Sequence, residues 1–548
     1  MQNLLNQAFE LHVSGNIQEA MGIYIQILPS QQDNEQLLFL LGTAYFQTGN
    51  AKEAVGCLQK SLDKNPSNPA AHSNLGLALQ ELKRFDEALQ SYDQALRIKP
   101  DFAEAFYNQG NALRELERFD EALQSYDQAL RIKPDSAEAF NNQGNALKEL
   151  KRFDEALASY GEALRIKPDF AEAFNNQGNA LQELKRFDEA LQSYDQALRI
   201  KPDSAEAFNN RGKALKDLKQ FDEALQSYDQ ALRIKPDYAE ATWNKSFLLI
   251  LIGNYLEGWK LYESRLEKED TKKDYYQFQQ TSWRGQEDIQ GKTLLIHSEQ
   301  GLGDVIQFVR YLKKIHQLGI KIILEVPEQL VSLISTFDVP MTVVEKGKKR
   351  PDFDAYCPLL SLPYIFKTTV ETIPASIPYL FANKEKTEDW KLQLGNQTQK
   401  RIGLVWSGST VHKNDHNRSI SLDALSELLE LPFEWHSLQK EYRERDKEFL
   451  LNHPEIHQHQ DELNDFSDTA ALIECMDIVI SIDTSVAHLA GALGKPVWIL
   501  LPFMPDYRWM LEREDCPWYP SAKLVRQDES RNWSNVLNLI KNNLLLIK

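Results

Sequence analysis

The chain has 548 residues, of which 42% are hydrophobic and 26% are charged, and its formal net charge is −18. A chain of this length is too long to fold around one hydrophobic core, so two or three domains are expected. The acidic balance argues against a nucleic-acid partner, and no apolar run is long enough to span a bilayer. Met1 leads into an amphipathic helical pattern and not into a secretory leader. The four scattered cysteines fit a reducing compartment, so a cytoplasmic location is expected.

A repeat of 34 residues occupies the first half of the chain. Proline and glycine recur at this spacing, at Pro66, Pro100, Pro134, Pro168, Pro202 and Pro236 and at Gly42, Gly76, Gly110, Gly144, Gly178 and Gly212. In the unit that begins at Ala171, Phe174 and Leu181 share one face of a first helix with Gly178. Tyr194 lies on the inner face of a second helix, so each unit predicts a pair of closely packed helices.

This unit resembles the tetratricopeptide repeat, which has small residues at its eighth and twentieth positions and proline at its thirty-second. The resemblance covers residues 1–270 and implies an α-solenoid. It comprises a degenerate eighth unit, from Ala239 to about Asp270, and seven regular units that start at Met1, Glu35, Pro69, Ala103, Ala137, Ala171 and Ala205. The eighth unit keeps Trp243 and Tyr262 but has Ser246 where glycine is expected. It is therefore expected to be an end repeat packed against another part of the chain.

Asparagine occupies the sixth position of six successive units, at Asn74, Asn108, Asn142, Asn176, Asn210 and Asn244. A side-chain amide both donates and accepts hydrogen bonds, so a row of amides can pair with an extended peptide backbone. The row resembles the asparagine ladder of O-GlcNAc transferase, whose repeats hold protein substrates. It predicts a protein or peptide partner in the repeat groove. The alternative is recent duplication, which copies a residue whether or not it is used.

After a charged segment at residues 268–273, strands and helices alternate. Strands are predicted at 293–297, 320–326 and 341–345, with helices at 305–316 and 328–336. A second set comprises strands at 401–406, 433–438, 478–482 and 497–501 and helices at 468–475 and 532–545. This alternation predicts parallel, doubly wound sheets. We expect two Rossmann-like halves, 271–390 and 391–548, with a cleft between them. This arrangement resembles the GT-B architecture of glycosyltransferases, which implies that the first half is the acceptor side and the second half the nucleotide-sugar side.

Three stretches of this region match a known family: Gly301-Leu-Gly-Asp304, 403–420 with its Asn417-Arg-Ser-Ile segment, and 481–494. They resemble the motifs of glycosyltransferase family 9, the heptosyltransferase-like enzymes, in the branch fused to tetratricopeptide repeats. The likeness covers residues 292–526 and implies transfer of a sugar from a nucleotide-diphosphate donor. The chain departs from the family in three places: Ser485 replaces a glycine, a Leu-Pro pair is missing after Val309, and 501–509 replaces the usual Gly-Pro-Thr.

Asp304 follows a predicted strand at the start of a helix and matches the family's general base. The resemblance implies that it takes a proton from an acceptor hydroxyl, and a helix N-terminus favours its ionised form. Gly301 and Gly303 are expected to let the loop approach the donor closely. One alternative is a helix-capping aspartate. Another is the start of a dinucleotide fingerprint, although Ile306 occupies the position of its third glycine.

The strand at 478–482 leads into Asp483, Thr484 and Ser485 and then a helix with His488 one turn further on. Free backbone N–H groups, hydroxyls and an imidazole at a helix start suit a diphosphate. The alternative is plain capping with a packed histidine. Positive charge for the diphosphate and further nucleotide contacts are expected from the loop at 407–419 and from the end of the neighbouring strand, at Ser407, Lys413, Arg418, Gln439 and Lys440.

Asp352 and Asp354 could suggest a metal site, but such pairs are common by chance and GT-B enzymes usually need no metal. We expect neither a metal nor a cofactor, with the nucleotide sugar as substrate. The sequence thus predicts a cytoplasmic, inverting glycosyltransferase whose repeat arm presents the acceptor. The alternative is a repeat scaffold for protein assembly, whose second half binds a nucleotide sugar, or nothing, without turnover.

Overall fold

A computed structural model describes residues 2–267, 278–410 and 414–547. The chain divides into two compact units, Met1–Pro236 and Asp237–Lys548. The first unit contains only helices, and the second contains a further helical pair followed by two parallel sheets. The predicted order of a helical solenoid followed by parallel α/β structure is therefore confirmed.

The first unit consists of helical pairs, each joined by a tight turn. The helices are Gln2–Val13, Ile17–Ile27, Glu35–Gln47, Ala51–Lys64, Pro69–Glu81, Phe85–Ile98, Ala103–Glu115, Phe119–Ile132, Ala137–Glu149, Phe153–Ile166, Ala171–Glu183, Phe187–Ile200, Ala205–Asp217 and Phe221–Ile234. Gly178 lies directly over the ring of Tyr194, and a β-carbon added at Gly178 would be only 2.5 Å from Tyr194 Cε1. The same pairing recurs at Gly76, Gly110, Gly144 and Gly212. The periodic glycine is therefore required because two helices meet at that point.

The second unit begins with the helices Ala239–Leu251 and Tyr255–Tyr262, which correspond to the predicted eighth repeat. Trp259 and Tyr262 of this pair are buried. The ring of Trp259 lies 5.9 Å from that of Phe308, which belongs to the region of parallel sheets. The end repeat thus packs against another part of the chain. The compact unit starts at Asp237, before this pair, whereas the predicted boundary between the repeats and the following region is at about residue 270.

The first sheet has the order β1-β5-β2-β3-β4, and all its strands are parallel. Its strands are β1 (Thr281–Ser282), β2 (Thr293–His297), β3 (Lys321–Val326), β4 (Met341–Glu345) and β5 (Ala355–Pro358). Its helices are Leu302–Phe308, Leu312–Gln317, Glu328–Ile334 and Leu362–Ile365. The single helix predicted at 305–316 is interrupted at Val309–Tyr311. There the side chain of Arg310 donates from Nε to the carbonyl of Gln307 and so binds a backbone acceptor of the helix.

The second sheet has the order β11-β10-β9-β6-β7-β8 and is also parallel. Its strands are β6 (Arg401–Val405), β7 (Glu434–Ser437), β8 (Ile456–His457), β9 (Ile478–Ile482), β10 (Val497–Leu501) and β11 (Ala522–Arg526). Its helices are Lys384–Leu394, Asp415–Arg418, Ser426–Leu429, Glu444–Leu451, Phe466–Glu474, Ser485–Ala492 and Trp533–Leu546. Apolar side chains from both faces of the central strands form its core, with Trp406 and Trp435 among the largest buried residues.

Candidate functional site

Two predicted binding turns leave their sheets where the strand order reverses. The Glu299–Asp304 turn follows β2, which lies between β5 and β3, and the Asp483–Ser485 turn follows β9, which lies between β10 and β6. In open parallel sheets such switch points leave a crevice at the carboxyl ends of the strands, and ligands bind there. Both turns therefore lie at the carboxyl ends of their strands, where a ligand can bind.

The two turns are in contact with each other. A β-carbon added at Gly303 would lie 2.9 Å from Cδ2 of His488 and 3.5 Å from Cα of Ser485. Gly303 therefore lets the Leu302–Phe308 helix approach the Ser485–Ala492 helix closely. Gly303 is predicted to let the loop approach the donor closely, and in the structure it has a packing role between helices from two sheets.

Asp304 is mostly enclosed, and both of its carboxylate oxygens are engaged. Oδ2 accepts a hydrogen bond from the backbone N–H of Gly301 at 2.9 Å. Oδ1 accepts a hydrogen bond from the guanidinium of Arg508. Burial raises the pKa of Asp304 above its ordinary value, while the positive charge of Arg508 opposes this shift. A raised pKa makes the ionised carboxylate a stronger base than an exposed one.

Arg508 is the main site residue that the sequence analysis did not name. Its Nε donates to Oε1 of Gln307 at 2.8 Å, and its Nη1 donates to Oδ1 of Asp506 at 2.6 Å. One sequence feature points to this segment: at 501–509 a polar and aromatic stretch replaces the short Gly-Pro-Thr loop that is usual in the family. Nothing in that stretch indicates contact with Asp304, since the two residues are 204 positions apart.

Arg418 and Asp483 adjoin each other. Nη1 of Arg418 donates to the backbone carbonyl of Asp483 at 2.9 Å, and the guanidinium lies 3.6 Å from the carboxylate of Asp415. Gly408 leaves room for this arrangement, because an added β-carbon would be 2.5 Å from Nη2 of Arg418. Burial raises the pKa of Asp483 to about 6, and the negative charge of Asp506 adds to the increase.

The start of the Ser485–Ala492 helix has no side-chain cap. Thr484 occupies the capping position but makes no capping hydrogen bond, and its hydroxyl lies 3.1 Å from that of Ser481. His488 is buried, with Nδ1 2.9 Å from the hydroxyl of Tyr519 and its ring stacked on Trp509. Burial lowers the pKa of His488 well below its ordinary value, so its imidazole is neutral near pH 7. At this site His488 can therefore offer a ring nitrogen but not a positive charge.

The remaining predicted donor residues lie along the neighbouring strand ends. Ser407 and Gln439 bond to each other, with Nε2 of Gln439 donating to the backbone carbonyl of Ser407 at 2.8 Å. They thereby tie together the ends of β6 and β7. Lys440 is exposed and donates to the carbonyl of Gln460 at 2.9 Å. Lys413 lies outside the described residues.

The asparagine ladder makes hydrogen bonds from one repeat to the preceding one. Nδ2 of Asn142 donates to the hydroxyl of Tyr107 at 3.0 Å and to Oδ1 of Asn111 at 2.9 Å. The same pattern of donation to the preceding repeat is found at Asn74, Asn176 and Asn210. Asn108 belongs to the same unit, and Asn244 to the second unit. The ladder amides are thus partly used in stacking the repeats.

The first unit also contains a polar cavity of about 730 Å³. The ladder residue Asn176 contributes to its lining, together with Asn145, Asn175 and charged residues such as Lys148 and Glu149. Among residues 2–267, 278–410 and 414–547, no group of three or more His, Cys, Asp or Glu side chains could hold a metal ion. No helix in the described parts of the chain is long and apolar enough to cross a membrane.

Comparison with known proteins supports the assignment of the repeats. Sequence models of the tetratricopeptide repeat match residues 39–103, 91–124, 110–151, 144–185, 178–219 and 205–238. The protein FlbA of Caulobacter vibrioides is 26% identical over 320 residues, which make up 54% of this chain and 53% of FlbA. The chain therefore spans about half the length of this curated relative.

Three solved structures overlap with part of the chain. YrrB, described as a tetratricopeptide-repeat protein with an unusual peptide-binding site, is 27% identical over 34% of this chain and 95% of its own, with a TM-score of 0.30. PilF of Pseudomonas aeruginosa is 24% identical over 39% and 96%, with a TM-score of 0.35. A repeat protein of Parabacteroides merdae is 18% identical over 45% and 98%, with a TM-score of 0.38. The matching sequence models identify the N-terminal region of about 250 residues as a scaffold of tetratricopeptide repeats, a type of repeat that binds proteins.

Proposed function

We propose that the second unit is a GT-B glycosyltransferase that moves a sugar from a nucleotide-diphosphate donor to an acceptor hydroxyl without a metal ion. One observation carries the proposal: the helices that begin at the switch points of two separate parallel sheets touch at Gly303 and His488. A donor bound at the Asp483–Ser485 turn would place its reacting carbon toward the other sheet. The residue that this other sheet supplies is Asp304, the family's matching base.

The reaction would be a single displacement with inversion. Asp304 accepts the proton of the acceptor hydroxyl, and the oxygen forms a bond to the anomeric carbon of the sugar. The bond from that carbon to the diphosphate oxygen breaks, and its electron pair leaves with the nucleoside diphosphate. The carboxylic acid formed on Asp304 then returns its proton to solvent.

The leaving diphosphate would be stabilised from the other turn. The side chain of Thr484 does not cap the start of the Ser485–Ala492 helix, and backbone N–H groups at a helix start favour an anion. Arg418 adds a positive charge beside this helix start, and its Nε is buried with no hydrogen-bond partner among the described residues. His488 contributes no charge, because its imidazole is neutral there.

The first experiment is a thermal-shift screen of the whole chain against UDP-, GDP- and ADP-sugars, since a ligand that binds the native state raises its apparent stability. The same screen on Ser485→Asp is the matched test, because a helix start tolerates an acid but a diphosphate is repelled by it. We expect at least one nucleotide sugar to raise the melting temperature of the unaltered chain and not that of the variant. If no nucleotide sugar shifts either protein, the proposed donor site is wrong.

A second experiment tests the base. Asp304→Asn keeps an oxygen that can accept from the N–H of Gly301 but cannot take a proton. We expect donor binding to persist while turnover falls by roughly 10²-fold or more. Near-normal turnover in this variant would remove Asp304 from the reaction.

The second candidate function is a protein-binding scaffold, and the polar cavity among the repeats favours it. If the repeats hold a protein acceptor, both functions operate in one protein. Glu149→Lys reverses a half-exposed charge in the cavity lining, and Glu149 is not one of the ladder amides. We expect weaker modification of protein acceptors and unchanged hydrolysis of the donor by water. If Glu149→Lys and the unaltered protein modify protein acceptors equally well, the cavity does not take part in acceptor binding.

A further inference from the structure

Arg508 makes hydrogen bonds to three different acceptors in the candidate site. Nη2 donates to Asp304, Nε to Gln307 at 2.8 Å, and Nη1 to Asp506 at 2.6 Å. Only 12% of its side chain is exposed. A guanidinium is planar, so donation in three directions fixes its plane as well as its position.

Aromatic contacts on both sides hold the turn that carries Arg508. Tyr507 packs against the last helical pair, with its ring 5.0 Å from that of Phe247 and 5.9 Å from that of Trp259. Trp509 stacks on His488 of the Ser485–Ala492 helix at 5.1 Å. The side chains of Tyr507 and Trp509 are both buried. The segment that carries Arg508 is thus packed between the last helical pair and the Ser485–Ala492 helix of the proposed diphosphate site.

We propose that Arg508 is a positioning residue that fixes the orientation of the Asp304 carboxylate, and that the last helical pair holds Arg508 in place through Tyr507. The proposal rests on the proposed function, in which Asp304 is the base. With Oδ2 held by Gly301 and Oδ1 held by Arg508, the carboxylate cannot rotate. Each oxygen keeps a second lone pair, so the carboxylate can still accept a proton from a substrate.

Arg508 also sets the charge balance around Asp304. Asp506, Tyr262 and Tyr507 are other charged or titratable groups that interact with Asp304. Among these four neighbours, Arg508 supplies the positive charge. Its removal would leave Asp304 buried beside the negative charge of Asp506, and its pKa would rise further.

The test compares Arg508→Gln and Arg508→Lys with a control, Arg513→Gln. Arg513 lies in the same segment but forms an exposed ion pair with Asp515. For Arg508→Gln we expect kcat to fall by about tenfold or more, little change in the KM of the donor, and an acid limb of the pH–rate profile that moves to higher pH. Arg508→Lys restores the charge but not the planar fork, so it should recover the pH profile more fully than kcat. Arg513→Gln should match the unaltered chain. An Arg508→Gln enzyme with the original kcat and pH profile would overturn the proposal.

Substitutions at Tyr507 test the support of Arg508 without changing the arginine itself. Tyr507→Phe keeps the ring contacts, whereas Tyr507→Ala removes them, so the alanine variant should lose much more kcat than the phenylalanine variant. Equal activity in the two variants would show that the last helical pair does not hold Arg508 in place.

A stability measurement separates this proposal from the proposed function. If the unaltered chain consumes no nucleotide sugar, the proposed function fails, but Asp304→Asn, Arg508→Gln and the double variant can still be compared by thermal unfolding. Coupled side chains lower the melting temperature by less in the double variant than the sum of the single losses. If the decrease in melting temperature of the double variant equals the sum of the two single decreases, Asp304 and Arg508 do not interact.

Discussion

Gly303→Ala tests whether the two turns of the candidate site touch as described. The new β-carbon would be 2.9 Å from Cδ2 of His488, which is closer than packed carbon atoms approach. The imidazole cannot easily move, because Tyr519 bonds its Nδ1 and Trp509 stacks on its ring. Overpacking of this kind costs about 1–3 kcal/mol, and the gain from replacing a helical glycine by alanine is at most about 1 kcal/mol. A net loss of about 1 kcal/mol is expected.

The matched control is Gly161→Ala, which makes the same substitution in the helix Phe153–Ile166. A β-carbon at Gly161 has nothing within 4 Å, so only the helix-propensity gain of about 1 kcal/mol remains. Calorimetry of thermal unfolding of the full chain measures the stability change caused by each substitution. We expect the transition of the second unit to fall by about 2 °C in Gly303→Ala and that of the repeats to rise in Gly161→Ala.

Activity gives a second readout of the same substitution. Asp304 is the next residue, so a shift of the Leu302–Phe308 helix moves the proposed base, and small misplacements of reacting groups can cost about 10²-fold in rate. If Gly303→Ala instead raises the melting temperature as Gly161→Ala does, the contact between the two turns is refuted.

The remaining predictions concern buried charge and the boundary of the second unit. Since the pKa of Asp483 is raised from 3.8 to about 6, the ionised form costs the fold about 3 kcal/mol at neutral pH. Asp483→Asn should therefore be more stable than the unaltered chain above pH 6 and no more stable below about pH 4, by thermal unfolding across pH. Arg265→Leu removes the guanidinium that pairs with the buried carboxylate of Glu299 and should cost about 3–5 kcal/mol, measured by calorimetry; an unchanged melting temperature would contradict the buried pair. A chain that starts at Asp237 should unfold cooperatively, whereas one that starts at residue 278 should expose apolar surface and bind a hydrophobic dye.

Much of the fold could be predicted from local patterns. The strands Thr293–His297, Met341–Glu345, Ile478–Ile482 and Val497–Leu501 coincide with their predicted bounds, because β-branched and aliphatic runs are typical of buried parallel strands. The strand Ala522–Arg526 was not predicted, since it lies at the edge of its sheet and carries charged residues. An edge strand is buried less completely than a central one, so its hydrophobic pattern is weaker.

The candidate site was only partly predictable, for a physical reason. Asp483 directly follows β9, and Asp304 lies in the first turn of the helix after β2, so the position of each at the end of a parallel strand is determined locally. Arg508 reaches Asp304 through the packing of Tyr507 and Trp509, and no short-range pattern encodes such a contact. The ladder shows a related limit: a period of 34 residues predicts that the amides align, but not that Asn142 uses its donors on the preceding repeat.

The last helical pair explains why a repeat scaffold and an α/β unit share one chain. Where regular repeats have a glycine facing a tyrosine ring, this pair has Ser246, and Trp243 and Phe247 beside it form edge-to-face and stacked contacts with Tyr262. These rings are available to pack against Tyr507 because the position no longer serves only the stacking of identical helices. The pair thus retains the geometry of a repeat on one side and supplies a packing surface to the Arg508 turn on the other. A change that disturbs Tyr507 would therefore act on the proposed base without touching either sheet.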